Sequence, residues 1–150
     1  MIAKHVPMKS VKKSDFADLV KYLADDQRKN ERVVTTSVTN CESSGLTAAV
    51  IEVTAIQGMN TRAEFDKTYH LILSFRAGER PDDEALKAIE STICEGLGYG
   101  EHQRVSAVHH DTDNLHIHIA INKIHLVRFT IHNPYNDHKV LEAVWQNDLY

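Results

Sequence analysis

A chain of 150 residues, 42% of them hydrophobic, can bury one core, and it has no compositional break that marks a second domain. A formal charge of −4 argues at first sight against an anionic partner. The chain has no apolar run of spanning length and no signal-type N-terminus, and Cys41 and Cys94 stand in unrelated contexts, which together indicate a cytoplasmic protein with reduced thiols.

In chain order, Ile2 to Val6 reads as a short strand stopped by Pro7, followed by a basic loop from Met8 to Lys13. Ser14 is placed to cap a helix in which Phe16, Leu19, Val20 and Leu23 form one apolar stripe. At 100° per residue, Tyr22 falls about 110° from the centre of that stripe, on the flank of the helix. A polar connection leads to β-branched alternation over Val33 to Thr39, a strand pattern. Ser43 or Ser44 would cap a helix from about Leu46 to Met59, with Leu46, Ala49, Val50, Val53 and Ile56 on its apolar side. Lys67 to Arg76 alternates as a strand, with His70, Ile72 and Ser74 on one face and Tyr69, Leu71, Leu73 and Phe75 on the other. Pro81 suits a first helical position, and Leu86, Ile89, Ile93 and Leu97 complete an apolar stripe before Gly96, Gly98 and Gly100 end the helix. Arg104 to Val108 and Leu115 to Lys123 read as a hairpin, Val127 to Ile131 as a further short strand, and Asp137 as the start of a terminal helix. The order β-α-β-α-β-α-β-β-β-α predicts an α+β fold, with helices on a mainly antiparallel sheet of about five strands.

Charge is unevenly spread along this order. Residues 1–32 carry eight Lys or Arg against five acids, while residues 77–101 carry two against seven. One face can therefore be basic in an acidic chain, and local potential governs contact with phosphates more than the sum does. Lys4, Lys9, Lys12, Lys13, Arg76 and Arg104 are candidate backbone-phosphate contacts. Tyr69, Phe75 and Tyr99 offer faces for base stacking, although core packing is the commoner role of such residues. No glycine-rich phosphate-binding fingerprint is present.

The chemistry concentrates in Ser106 to Lys123, around His109-x-Asp111-x-x-x-x-His116-x-His118. Two histidines two apart on a strand share a face. A hairpin turn at Asp111 to Asn114 brings His109 beside His116, at roughly 4.5–5.5 Å between Cβ atoms if they pair directly. Three neutral imidazoles with an open position make a catalytic metal pattern more than a structural one, because structural zinc sites close with four protein ligands. Asp111 is placed to orient one of the rings through its carboxylate. An ion there would polarise a phosphoryl oxygen. With water as nucleophile the protein is a metal-dependent phosphodiester hydrolase, with a side-chain nucleophile it is a transesterase, and with neither it is a metal-binding DNA-binding module. These residues alone leave the three readings open.

The pattern His109, Asp111, His116, His118 and Asn122 resembles the third motif of conjugative relaxases of the mobilisation P type, single-strand endonucleases with a histidine-hydrophobic-histidine core. MIAKHVPMKSVKKSDFADLVKYL, DKTYHLILSFRAGE and GLGYGEHQRVSAVHHDTDNLHIHIAINKIH are similar to that family in the same order, over roughly residues 1–140. The resemblance implies that Tyr22 is the nucleophile, cutting single-stranded DNA at a plasmid transfer origin to leave a covalent 5′-phosphotyrosine and a free 3′-hydroxyl. It implies a divalent ion on His109, His116 and His118, with a group near Asp111 assisting proton removal. Phosphoryl chemistry favours Mg²⁺ or Mn²⁺, and imidazole affinity Zn²⁺. Ser74 matches the residue that holds the strand 3′ of the nick, and Asn122, Lys4, Lys12, Lys13 and Arg76 join it as DNA contacts. Relaxosome accessory proteins, a coupling protein and a type IV secretion system are the implied partners, and residues 1–150 the implied nickase domain, truncated from a longer protein. The stretch from Asn133 to Tyr150 departs from the family sequence.

Overall fold

Alternation in five segments produces five antiparallel strands. The computed structural model describes residues 1–7, 15–25, 32–64, 66–110 and 114–147. The elements run β1 (Ile2–His5), α1 (Phe16–Ala24), β2 (Arg32–Thr39), α2 (Leu46–Met59), β3 (Thr68–Ser74), α3 (Asp83–Gly96), β4 (Arg104–His110), β5 (Leu115–Asn122) and α4 (Asp137–Asn147). The sheet order is β1-β3-β5-β4-β2, with every neighbouring pair antiparallel. The expected α+β class and strand number are therefore met.

Directly paired residues share a face, so the register sorts the side chains. Tyr69, Leu71 and Leu73 of β3 face the same way as Ile117, Ile119 and Ile121 of β5. The stripe Leu86, Ile89, Ile93 and Leu97 covers them, together with Tyr99 and Leu141, to make the larger core. Asp137 ties the start of α4 down, accepting the Tyr69 hydroxyl at 2.8 Å and lying 3.3 Å from Nδ1 of His5. On the other face, Phe16, Leu19, Val20 and Leu23 of α1 and Ala49 and Val53 of α2 pack over Val105, Ala107 and Ala120. The two alanines leave room for α1 to lie close to the sheet. That closeness brings its last turn beside the histidines further along the same face.

Several boundaries differ from expectation, each for a local reason. Asp15, not Ser14, occupies the cap of α1, its carboxylate accepting the N–H of Ala17 at 2.9 Å. Gly45 stands at the cap of α2 without a side-chain bond, while Ser43 Oγ accepts the Gly45 N–H one step earlier. Asp82 caps α3, which puts Pro81 just before the helix. The expected strand from Val127 to Ile131 does not form; Ile124 and Ile131 make an isolated bridge. His125 is the cause. Its Nδ1 accepts the N–H groups of both Val127 and Arg128, and its carbonyl accepts that of Phe129, so the chain turns back where a strand would extend. No helix among the described residues is long and apolar enough to cross a membrane.

Candidate active site

The site lies where α1 ends over the sheet. One cross-strand row runs Ile2, Ser74, His116, His109 and Val33, and the next runs Lys4, Ile72, His118, Ala107 and Thr36. His109 therefore sits directly opposite His116, and His118 points to the same face, as their spacing in the sequence requires. The rings of His109 and His118 approach to 4.5 Å between centroids. His109 is fully buried and His118 is 5% exposed, while His116 is half-buried.

Each of the three rings has a nitrogen assigned to a protein partner. Nδ1 of His116 lies 3.0 Å from Ser74 Oγ, and Nδ1 of His118 lies 3.4 Å from Nε2 of His70. Nε2 of His109 donates to the Leu23 carbonyl oxygen at 2.5 Å. A neutral imidazole whose N–H is held on one side carries its lone pair on the other, and that is how protein partners prepare a metal-ligating ring. The donor chemistry thus suits a divalent cation. As placed, no group of three or more His, Cys, Asp or Glu side chains among the described residues is arranged to hold one ion. Asp111 lies outside the described residues.

Tyr22 occupies the exposed flank of α1 that its helical phase indicated and is 44% exposed. Its ring meets that of His70 edge to face, with centroids 6.4 Å apart and planes at 80°. His70 itself is 5% exposed and pairs with Ala120 on the histidine face. The fold so brings Tyr22, His70, His118, His109, His116 and Ser74 onto one surface from three strands and a helix. His70 was not among the residues singled out by sequence, although its alternation with Ile72 and Ser74 had placed it on the polar face. The Leu23 carbonyl is a backbone group and leaves no mark in the sequence.

The remaining candidates separate. Lys4 is exposed and shares a row with His118, two strands away at about 10 Å between Cα atoms. Arg76 is exposed two residues beyond Ser74. Lys9, Lys12 and Lys13 lie outside the described residues. Two assignments are corrected. Asn122 is fully buried; its amide donates to Gln103 Oε1 at 3.0 Å and accepts the Ile124 N–H at 2.9 Å, so as placed it stabilises the end of β5 and is not exposed. Arg104 is 4% exposed and bonded through Nε to Glu90 Oε2 at 2.8 Å, a buried ion pair that opposes α3 to the sheet. Tyr69, Phe75 and Tyr99 pack in the core, the commoner role expected of them. Both cysteines are free thiols.

Residues 22–147 match the family model described as the nuclease domain of MobA/VirD2-like relaxases, a match that begins at Tyr22. The chain is similar to a Protein TraI of Escherichia coli, 67% identical over 141 residues that cover 94% of the chain and 19% of that relative. A second Protein TraI of Escherichia coli is 62% identical over the same length and shares. Protein MobA of Acidithiobacillus ferrooxidans is 43% identical over 60 residues, covering 40% of the chain and 15% of that relative. The chain thus spans about a fifth of the length of the TraI relatives it matches. No solved structure matches it significantly.

Proposed function

This chain belongs to the MobA/VirD2-like relaxase nuclease family, and from that premise we propose that it nicks single-stranded DNA at a plasmid transfer origin with Tyr22 as nucleophile. The observation that carries the reading is the position of Tyr22: an exposed phenol on the flank of α1, edge-on to His70 and over the same sheet face as His116 and His118. A surface tyrosine on an amphipathic helix has no packing reason to lie beside a row of buried imidazoles.

The reaction is a transesterification. Oη of Tyr22 attacks the scissile phosphorus, the bond to the 3′ oxygen breaks, and the DNA 5′ end remains on the protein as a phosphotyrosine. The phenolic proton leaves to a base near the site and the departing 3′ oxygen gains one, so charge and atoms balance. Because one phosphodiester replaces another, the step can run backwards and rejoin the strand. A phenol is a poor nucleophile at neutral pH until its proton is taken or its charge offset; a group near Asp111 would assist that removal.

A divalent ion, Mg²⁺ or Mn²⁺ by the chemistry of phosphoryl transfer and Zn²⁺ by the affinity of imidazole, would be held by His109, His116 and His118 and would supply charge neutralisation at the phosphate. Ser74 orients His116 through its hydroxyl and stands at the rim, where the strand 3′ of the nick would pass. Lys4, Arg76, Lys12 and Lys13 would meet backbone phosphates. By extension from the family, the partners are single-stranded origin DNA, relaxosome accessory proteins, a coupling protein and a type IV secretion system, met in the donor cytoplasm.

The test is a denaturing gel. With Mn²⁺ and a 3′-labelled single-stranded oligonucleotide spanning a cognate transfer origin, the wild type should shift label to the protein band, and Tyr22→Phe should give neither cleavage nor adduct. Equal cleavage by both proteins, with no adduct, would establish a water-using hydrolase instead. Origin binding without cleavage by either protein would leave a DNA-binding module.

A further inference from the structure

Burying a polar ring costs free energy that only its hydrogen bonds offset, and His70 is a buried polar ring that the nicking chemistry has so far left without a task. It is 5% exposed on β3, opposite the small Ala120. Its Nε2 lies 3.4 Å from Nδ1 of His118, and its ring edge meets Tyr22 at 6.4 Å between centroids. One imidazole is therefore in contact with both the proposed nucleophile and a proposed ion ligand. Four residues further along the same face of β3, Ser74 stands in the same relation to His116, with Oγ 3.0 Å from Nδ1. Thus β3 serves each β5 histidine from one side.

We propose that His70 is a positioning residue for the nicking reaction: it accepts the Nδ1–H of His118, which holds that ring in the tautomer whose Nε2 lone pair can meet the ion, and it seats the Tyr22 ring beside it. The inference rests on the reading of His118 as an ion ligand. Chemically, a ring that donates from Nδ1 must be a ligand through Nε2, and an acceptor behind a ligating imidazole both fixes the tautomer and raises the basicity of the ligating nitrogen. A hydrocarbon ring at position 70 would fill the same space and pack against Tyr22 equally well. It would not accept the proton.

Three variants and one spectrum test this. In calorimetry with Mn²⁺ as the probe, His70→Phe should bind about 10- to 100-fold more weakly than wild type, the effect expected for the loss of a group that orients a ligand. His70→Gln, whose amide oxygen can accept the same proton, should recover most of that loss, while the unfolding midpoints of the two variants agree. Recovery by Gln and not by Phe separates hydrogen bonding from packing. His118→Ala should abolish binding. If His118→Ala binds Mn²⁺ as wild type does, the ligand assignment fails; if His118→Ala loses binding but His70→Phe keeps wild-type affinity, the role of His70 fails alone. Should His70→Phe not fold, the ¹H–¹⁵N spectrum of wild-type imidazoles decides: His118 with its proton on Nδ1 supports the proposal, and His118 with its proton on Nε2 overturns it.

Discussion

Nε2 of His109, near the end of β4, is hydrogen-bonded to the carbonyl oxygen of Leu23 in the last turn of α1. The bond joins the helix that carries Tyr22 to the strand that carries the first histidine of the motif. It also gives one of the last carbonyls of α1, which has no intrahelical donor, a partner inside the protein.

His109→Ala should therefore lower stability, apart from any effect on the ion binding proposed for it. Removing the donor leaves a buried carbonyl without it, at a cost of about 1–3 kcal/mol. Urea denaturation without any added metal should show this loss, and His109→Gln, which keeps an N–H, should restore part of it. Stability within about 0.5 kcal/mol of wild type would mean that the bond contributes nothing to holding α1 in place.

Acid should destabilise the protein through His102. Burial is the largest influence and lowers its pKa below the ordinary 6.5; the hydrogen bond from Nδ1 to the Asn122 carbonyl opposes this, while His125, His132 and Arg128 add to the lowering. The folded state thus favours the neutral ring, and between the two pKa values the unfolded chain binds more protons. Its contribution is complete above about pH 6.5 and is lost as pH falls through the lower folded value. Chemical denaturation from pH 7.5 to pH 5 should show stability falling less steeply for His102→Gln than for wild type. Parallel curves would remove His102 from the acid response.

Gly98 and Gly58 should respond oppositely to alanine. Gly98 has φ of +86°, and a Cβ there would run into Nε2 of His132, which donates to the Leu97 carbonyl at 2.8 Å. Left-handed backbone alone costs alanine about 1–2 kcal/mol, and displacing His132 adds to it. Gly58 lies in α2 with nothing within 4 Å of such a Cβ. Alanine there should gain up to about 1 kcal/mol through helix propensity. Thermal unfolding of the two variants should move in opposite directions.

Much of the fold was legible because its periodicities are clean. The stripe Phe16, Leu19, Val20 and Leu23 repeats at helical spacing and is buried as a unit. Leu71 and Leu73 alternate with His70, Ile72 and Ser74, and the sheet separates the two sets as alternation requires. Capping was less legible, because Ser14 and Asp15 are neighbours with equivalent capping chemistry, and only backbone dihedrals choose between them. The strand expected at Val127 failed because a single imidazole, His125, takes two backbone N–H groups, and no propensity scale contains such a bond.

Local sequence by itself determined the chemical inventory of this protein. It put His116 and His118 on one strand face, set Tyr22 off the buried stripe of its helix, and placed a turn between His109 and His116. The first two follow from the repeat of a strand and of a helix, and the third from a run of turn residues, all of which are local signals. Only the tertiary structure decided that the last turn of α1 lies over that face, since this depends on Ala107 and Ala120 leaving space beneath the helix. The same packing put His70 against Tyr22 and His118, removed Asn122 and Arg104 to the interior, and engaged His109 with the Leu23 carbonyl. Those outcomes join residues 48 to 86 positions apart or close over buried partners, and no local repeat encodes such distances.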